Sequence, residues 1–249
     1  MSPVTILLVD DHVVVREGIR SLLRGVPGFK VVGTASSGRE AVLTAIKLSP
    51  QIILMDVAMP LMNGIQAASI ILKALDNTKV LMLSAYSDAE YVERAIEAGA
   101  SGYLLKQTTV EAVVTAIRKV VSGERYFSSP AVRRAYENYH RKDRTGPLPC
   151  NRLTARETEL LQLIAEGYSS KVMASDLGLS IKTVEKHRQS VMDKLGIHDI
   201  AGLTRLAIAT GIVENRCQHA HCNGRHNGNG NGNGNGRSAV ALRSVGALG

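Results

Sequence analysis

Through the first 125 residues, short aliphatic and β-branched runs alternate with stretches whose apolar positions recur every three or four residues. The runs Val4–Val9, Lys30–Ala35, Ile52–Met55, Lys79–Ser84 and Gly102–Leu105 predict strands. The stretches at about 12–25, 38–48, 64–75, 88–98 and 109–122 predict the helices between them. Ile6-Leu7-Leu8-Val9 is apolar without alternation, which implies a strand covered on both faces, as in a parallel sheet. Five such units predict an α/β domain, residues 1–125, built on an open, doubly wound, five-stranded parallel sheet.

The pattern breaks after 125. Residues 126–149 are basic and polar and contain Gly146-Pro147-Leu148-Pro149, which stops regular structure, so this stretch reads as an interdomain linker. Its middle, Ala131–His140, has the pattern of a short helix. Residues 150–214 show no strand runs and predict a small all-α domain with helices near 155–166, 170–177, 181–195 and 199–210, punctuated by Gly167, Gly178 and Gly196. Thr154-Ala155-Arg156-Glu157 has the form of a capping box, in which Thr and Glu satisfy the free N–H groups of a helix start. From 215 onward Asn-Gly repeats offer nothing to bury, so 215–249 reads as a disordered tail.

Composition narrows the classes. A chain of 249 residues fits two domains better than one. No apolar run approaches the roughly 18–20 residues that cross a bilayer, and the start lacks the pattern of a secretory signal, so the expectation is a soluble cytoplasmic protein. Three cysteines, Cys150, Cys217 and Cys222, are too few and too irregular for a disulfide framework. Aromatics are 4% with no Trp, which argues against single-strand nucleic-acid binding by base stacking. Net charge is +8, and the basic excess lies in the second half, where a polyanionic partner is expected.

In open α/β sheets, ligands bind beyond the carboxyl ends of the strands. There the first strand leads into Asp10-Asp11, the third into Asp56, the fourth ends at Ser84 and the fifth runs into Lys106. Clustered carboxylates repel unless a cation sits among them, and a few carboxylates with waters suit Mg²⁺. A hydroxyl and an amine beside them complete a site for a phosphoryl group, with Asp56 as the candidate acceptor.

Asp10-Asp11, Asp56-Val57-Ala58-Met59-Pro60 with Gly64, Ser84-Ala85 and Gly102-Tyr103-Leu104-Leu105-Lys106 together resemble the receiver domain of two-component response regulators. The resemblance implies that Asp56 accepts phosphate from a sensor histidine kinase. It implies that Asp10, Asp11 and Asp56, with the carbonyl of Ala58, hold Mg²⁺, and that Ser84, Tyr103 and Lys106 contact or report the phosphoryl group. Ala58 and Tyr86 match the variable positions beside that pocket and supply no acid or amide to orient water, so slow self-dephosphorylation is expected. A hydrolase working through an aspartyl phosphate would need an acid two residues after the nucleophile, where Ala58 stands, and no Walker-type loop occurs. No enzymatic role beyond the receiver's own phosphorylation and dephosphorylation is expected.

In the second domain, 170–177 and 181–195 joined by Gly178-Leu179-Ser180 fit a helix-turn-helix, with Ser180 capping the second helix. Val184, Val191 and Leu195 share one face of that helix, and Lys182, Glu185, Lys186, Gln189 and Asp193 the other. Leu153–Glu157, Leu163–Gly167, Leu179–His187 and Leu195-Gly196 resemble the LuxR-type DNA-binding domain. That resemblance implies base reading by Lys186 and Gln189, with Lys182, Thr183, Arg188 and Lys194 nearer to phosphates. Glu157, Glu185 and His187 are expected to support the fold, His187 with a backbone contact as its alternative.

In the tail, Cys217, His219, His221, Cys222 and His226 have the atom types of a soft-metal site without the spacing of a known finger. Together the two domains resemble the NarL/FixJ subfamily of response regulators. The function implied is a transcription regulator that phosphorylation at Asp56 converts to a homodimer on double-stranded DNA. The alternatives are a receiver that only docks proteins and a DNA-binding switch gated by a small autoinducer, for which no separate ligand domain exists.

Overall fold

The computed structural model describes residues 2–141 and 153–213. The strands are β1 (Val4–Val9), β2 (Phe29–Ala35), β3 (Ile52–Asp56), β4 (Lys79–Ser84), β5 (Gly102–Leu105) and β6 (Tyr126–Phe127). They form one sheet in the order β2-β1-β3-β4-β5-β6, with every pair parallel. The first five match the expected strands. The sixth corrects the count: it is two residues long, too short to carry a periodic signal, and adds to the edge at Gly102↔Tyr126 and Tyr103↔Phe127.

Alternate strand residues enter two separate cores, which is why the strands read as continuous apolar runs. Leu7, Val9, Ile53, Met55, Val80 and Met82 face one side, against helices α2 (Gly38–Leu48), α3 (Gly64–Ala74) and α4 (Ala89–Glu97). Ile6, Leu8, Ile52, Leu54, Leu81 and Leu83 face the other, against α1 (Val13–Arg24) and α5 (Val110–Val121). Each fully buried Leu or Ile contributes about 1.5–3 kcal/mol by leaving water. Strand order reverses between β1 and β3, so the crevice for a ligand lies beyond their carboxyl ends.

Within the stretch expected as linker, α6 (Pro130–Arg141) follows β6 and packs on α4, with Val132 and Ala135 buried in the first core. The first domain's packing therefore continues past residue 125. Residues 142–149 of the expected linker, and the tail with its Cys and His residues, lie outside the described residues.

The second domain contains α7 (Ala155–Ala165), α8 (Ser170–Leu177), α9 (Ile181–Leu195) and α10 (Ile200–Ala209), all within two residues of their expected bounds. Thr154 and Glu157 form the capping box, and Ser180 caps α9 by accepting from the Thr183 N–H. Gly178, at φ 63, supplies the left-handed turn that ends α8, a conformation that costs other residues about 1–2 kcal/mol. Leu161, Leu163, Met173, Val184, Val191 and Leu203 form the core of this domain. Among the described residues no helix is long and apolar enough to cross a membrane.

Candidate phosphoacceptor pocket and DNA-reading helix

Register places the acidic residues together. Val9 lies opposite Met55, so Asp10 and Asp56 follow at neighbouring strand ends. Ser84 pairs with Leu105, which sets Lys106 beside them. Asp10 and Asp56 are buried, and the Lys106 Nζ lies 2.7 Å from Asp56 Oδ2 and 2.9 Å from Asp10 Oδ2. Asp10 Oδ1 accepts the His12 backbone N–H at 2.8 Å, and Asp56 Oδ1 accepts only a long bond from the Ala58 N–H, at 3.4 Å. Gly64 lets the chain close behind the pocket: a Cβ there would stand 1.8 Å from the Asp56 carbonyl oxygen.

Asp10 and Asp56 share one ammonium with Asp11 close by, and the imbalance shows in the acidity of Asp56. Burial pushes Asp56 up to about 7; the Lys106 charge opposes the rise, and Asp10 and Asp11 add to it. Lys106 moves up from its usual value: burial alone would lower it, but Asp56 and Asp10 outweigh that. One oxygen each from Asp10, Asp11 and Asp56, with a ring nitrogen of His12, lie within 4.8 Å of one another. Asp11 Oδ1 is buried and accepts no hydrogen bond, although His12 Nδ1 stands 2.7 Å away. This donor set fits a hard divalent cation, which would relieve the repulsion. The reading from sequence did not single out His12; its place directly after the two Asp residues was the available signal.

Ser84 is buried, and its Oγ accepts the Tyr86 N–H at 3.0 Å. Tyr103 is turned inward at 1% exposure, donating its hydroxyl to the Tyr86 carbonyl at 3.0 Å. Tyr86 in turn stacks on Tyr91 of α4, centroids 6.0 Å apart. A chain of contacts thus links the pocket rim to α4.

On α9, Lys182, Lys186 and Gln189 are exposed, while Val184 and Val191 face the core. Gln189 Nε2 donates to Asp193 at 2.8 Å, Arg188 donates to Ser170 Oγ at 3.0 Å, and the Thr183 hydroxyl is hydrogen-bonded with Ser180 Oγ at 2.8 Å. Two further side chains stand as follows. The Lys194 amine, expected near phosphates, is held by both carboxylate oxygens of Glu157, at 2.8 and 2.7 Å. Glu185 is exposed and lies outside the network built around Glu157. Burial would raise Glu157, but bonds from Lys194, Thr154 and Ser190 outweigh it and hold the carboxyl at about 2.

The domains meet through the loop that follows Asp56. Gln162 of α7, buried, donates to the Met59 carbonyl at 2.9 Å and accepts the Asn63 N–H at 3.1 Å. Glu166 accepts the Leu61 N–H at 3.3 Å, and Leu61, at φ 69, packs its side chain against the second domain's core. Asn63 Nδ2 donates to the Ile212 carbonyl at 3.1 Å. From α4, Arg94 and Tyr91 donate to the carbonyls of Thr210 and Val213, each at 3.1 Å. Arg39 of α2 lies 2.7 Å from Glu159 and also donates to the Asp176 carbonyl. None of these contacts has a periodic signature in sequence.

The chain matches the response regulator receiver domain over residues 6–118 and the luxR family of bacterial regulatory proteins over residues 151–207. It is 33% identical to the transcriptional regulatory protein DegU of Brevibacillus brevis, across 86% of this chain and 97% of that one. It is 38% identical to the transcriptional regulatory protein LiaR of Bacillus subtilis, across 79% and 92%. Among solved structures, a LuxR-family two-component response regulator from Aurantimonas is 33% identical with a TM-score of 0.52, covering 57% of this chain and all of that one. The RcsB response regulator of Salmonella typhimurium shares the fold, with a TM-score of 0.58 over 84% of this chain and 99% of that one, at 23% identity. The acidic pocket at the sheet edge and the helix-turn-helix that follows it belong to one architecture, and the chain is a two-component response regulator of the NarL/FixJ type, a receiver joined to a LuxR-type DNA-binding domain.

Proposed function

We propose that a sensor histidine kinase phosphorylates Asp56 and that this modification converts the chain to a homodimer that reads two DNA half-sites. The observation that carries the reading is the buried Asp56 carboxylate, one oxygen held by Lys106 and the other almost free. In the transfer, Asp56 attacks the phosphorus of a phosphohistidine, the P–N bond breaks, a P–O bond forms, and the imidazole leaves with its electron pair. Asp10, Asp11, Asp56 and the Ala58 carbonyl are the ligands for Mg²⁺, which when bound neutralises charge on the phosphoryl oxygens. Lys106 is placed to pair with the new phosphoryl group, and Ser84 to donate its hydroxyl. Tyr103 and Tyr86 carry the change to α4 and its contacts with the second domain.

On DNA, Lys186 and Gln189 read base edges, and Lys182, Thr183, Arg188 and, more weakly because Glu157 pairs with it, Lys194 contact phosphates. Ala58 and Tyr86 place no acid or amide at the pocket mouth, which favours a long-lived phosphorylated state. We place the protein in the cytoplasm, where a kinase and DNA are both reached. Light scattering with Mg²⁺ and beryllofluoride, a phosphoryl mimic, tests the reading. A dimer that forms with beryllofluoride and fails to form in Asp56→Ala is the expected result; a chain that stays monomeric with unchanged DNA affinity overturns it.

A further inference from the structure

The contacts between the domains sit on the far side of the second domain from its reading face. At about 100° per residue, Glu159, Gln162 and Glu166 lie roughly 140–200° around α7 from Glu157. Glu157 faces α9, where it holds Ser190 and Lys194, whereas Glu159, Gln162 and Glu166 all bond to the receiver. On α9, in turn, Val184, Val191, Ser190 and Lys194 occupy the inward half, and Lys182, Lys186 and Gln189 the outward half. The layers therefore run receiver, α7, α9, solvent.

From this layering we infer that the docked, unphosphorylated chain is already competent to bind one DNA half-site, because docking leaves base access open. The receiver covers α7, the carboxyl end of α8 and the turn after α10. It leaves the Lys182, Lys186 and Gln189 side chains exposed. The alternative has a quantitative signature. Were the reading face hidden when docked, affinity would be divided by the undocked fraction, so a chain undocked about 1% of the time would bind about 100-fold more weakly. In the exposed arrangement that factor is close to one. Phosphorylation then acts mainly through valency: a dimer engages two half-sites and doubles the phosphate contacts.

The inference rests on α9 as the base reader, and the experiment separates the two claims. Cys150, Cys217 and Cys222 are replaced by Ser, and Leu61→Cys with Glu166→Cys is joined by a short bis-maleimide whose spacer contains a reducible disulfide. Anisotropy then measures binding to a pool of fluorescent duplexes of about 12 base pairs, room for one helix-turn-helix. The expected result is equal affinity, within twofold, before and after reduction of the cross-link. The Arg94→Ala/Gln162→Ala chain, undocked by small-angle scattering, should match both. Tenfold or greater recovery of binding on reduction overturns the inference. Lys186→Ala/Gln189→Ala should weaken all forms at least tenfold; unchanged binding would move the base reader away from α9 and overturn both claims together.

Discussion

Each domain contains a buried carboxylate 2.7 Å from a lysine amine: Asp56 with Lys106 in the receiver, Glu157 with Lys194 in the helix-turn-helix. Their acidities part in opposite directions, to about 7 and about 2. Burial raises both; what differs is the company. Glu157 receives the lysine, the Thr154 backbone and hydroxyl, and the Ser190 hydroxyl, and among the described residues no second carboxylate competes. Asp56 shares its lysine with Asp10 and stands near Asp11. A carboxylate that is fully solvated by protein donors is a strut. One that is crowded by its own kind is a site awaiting a cation or a chemical modification.

The comparison can be broken most directly at the strut. Glu157→Ala removes half of the capping box and the partner of the Lys194 amine, and should cost about 2–3 kcal/mol. Hydrogen exchange should accelerate at the amides of α7 and α9, while β1 and β3 stay protected; equal acceleration in both domains would dissolve the contrast. In the opposite sense, Asp56→Asn should stabilise the chain at pH 7.5 without divalent ions, by about 1–3 kcal/mol. The sign follows from linkage. A raised acid contributes stability that is full below about pH 4 and lost as pH rises through about 7, so the Asn variant gains at pH 7.5 and gains nothing at pH 4. Glu157 behaves inversely, its contribution present above about pH 4.5 and lost only as pH falls through about 2.

Mg²⁺ should act on one member of the pair alone. At tenfold excess over its dissociation constant it should raise stability by about 1.4 kcal/mol in the native chain, and far less in Asp56→Asn, by thermal melting. The smallest effect sharpens the contrast on DNA. Lys182→Ala should reduce the salt dependence of binding by about one counterion, and Lys194→Ala by clearly less, because Glu157 already neutralises that amine.

Much of this was legible in sequence because it rests on periodicity and turn chemistry. Five strands, the capping box at Thr154 and the α8–α9 turn at Gly178 each leave a local mark, and a strand's carboxyl end tells where its next residue stands. Asp10, Asp56 and Lys106 therefore fall to one pocket by strand position alone. What escaped depends on tertiary company. The two residues of β6 have no period, and α6 reads as a polar linker helix because, among its described residues, Val132 and Ala135 are the ones buried in the core. Lys194 looks like any surface lysine until Glu157 is found facing it. His12 looks like a turn residue until its ring nitrogen is seen among the carboxylates.

The bonds between the domains have a property that bears on transplanting one domain onto another. The acceptors include the main-chain carbonyls of Met59, Asp176, Thr210, Ile212 and Val213 beside the side-chain oxygens of Glu159, Gln162 and Glu166, and on the donating side Leu61 and Asn63 use backbone N–H groups. Backbone atoms are present whatever the side chain. A foreign receiver should therefore dock on this helix-turn-helix domain if its loop follows the same path and it supplies a cap like Asn63, Arg residues at the places of Arg39 and Arg94 and a Tyr at that of Tyr91. In the reverse graft, Gln162, whose amide both gives and receives, must travel together with Glu159 and Glu166. A small set of side chains, rather than the whole buried face, defines the compatibility of the two halves.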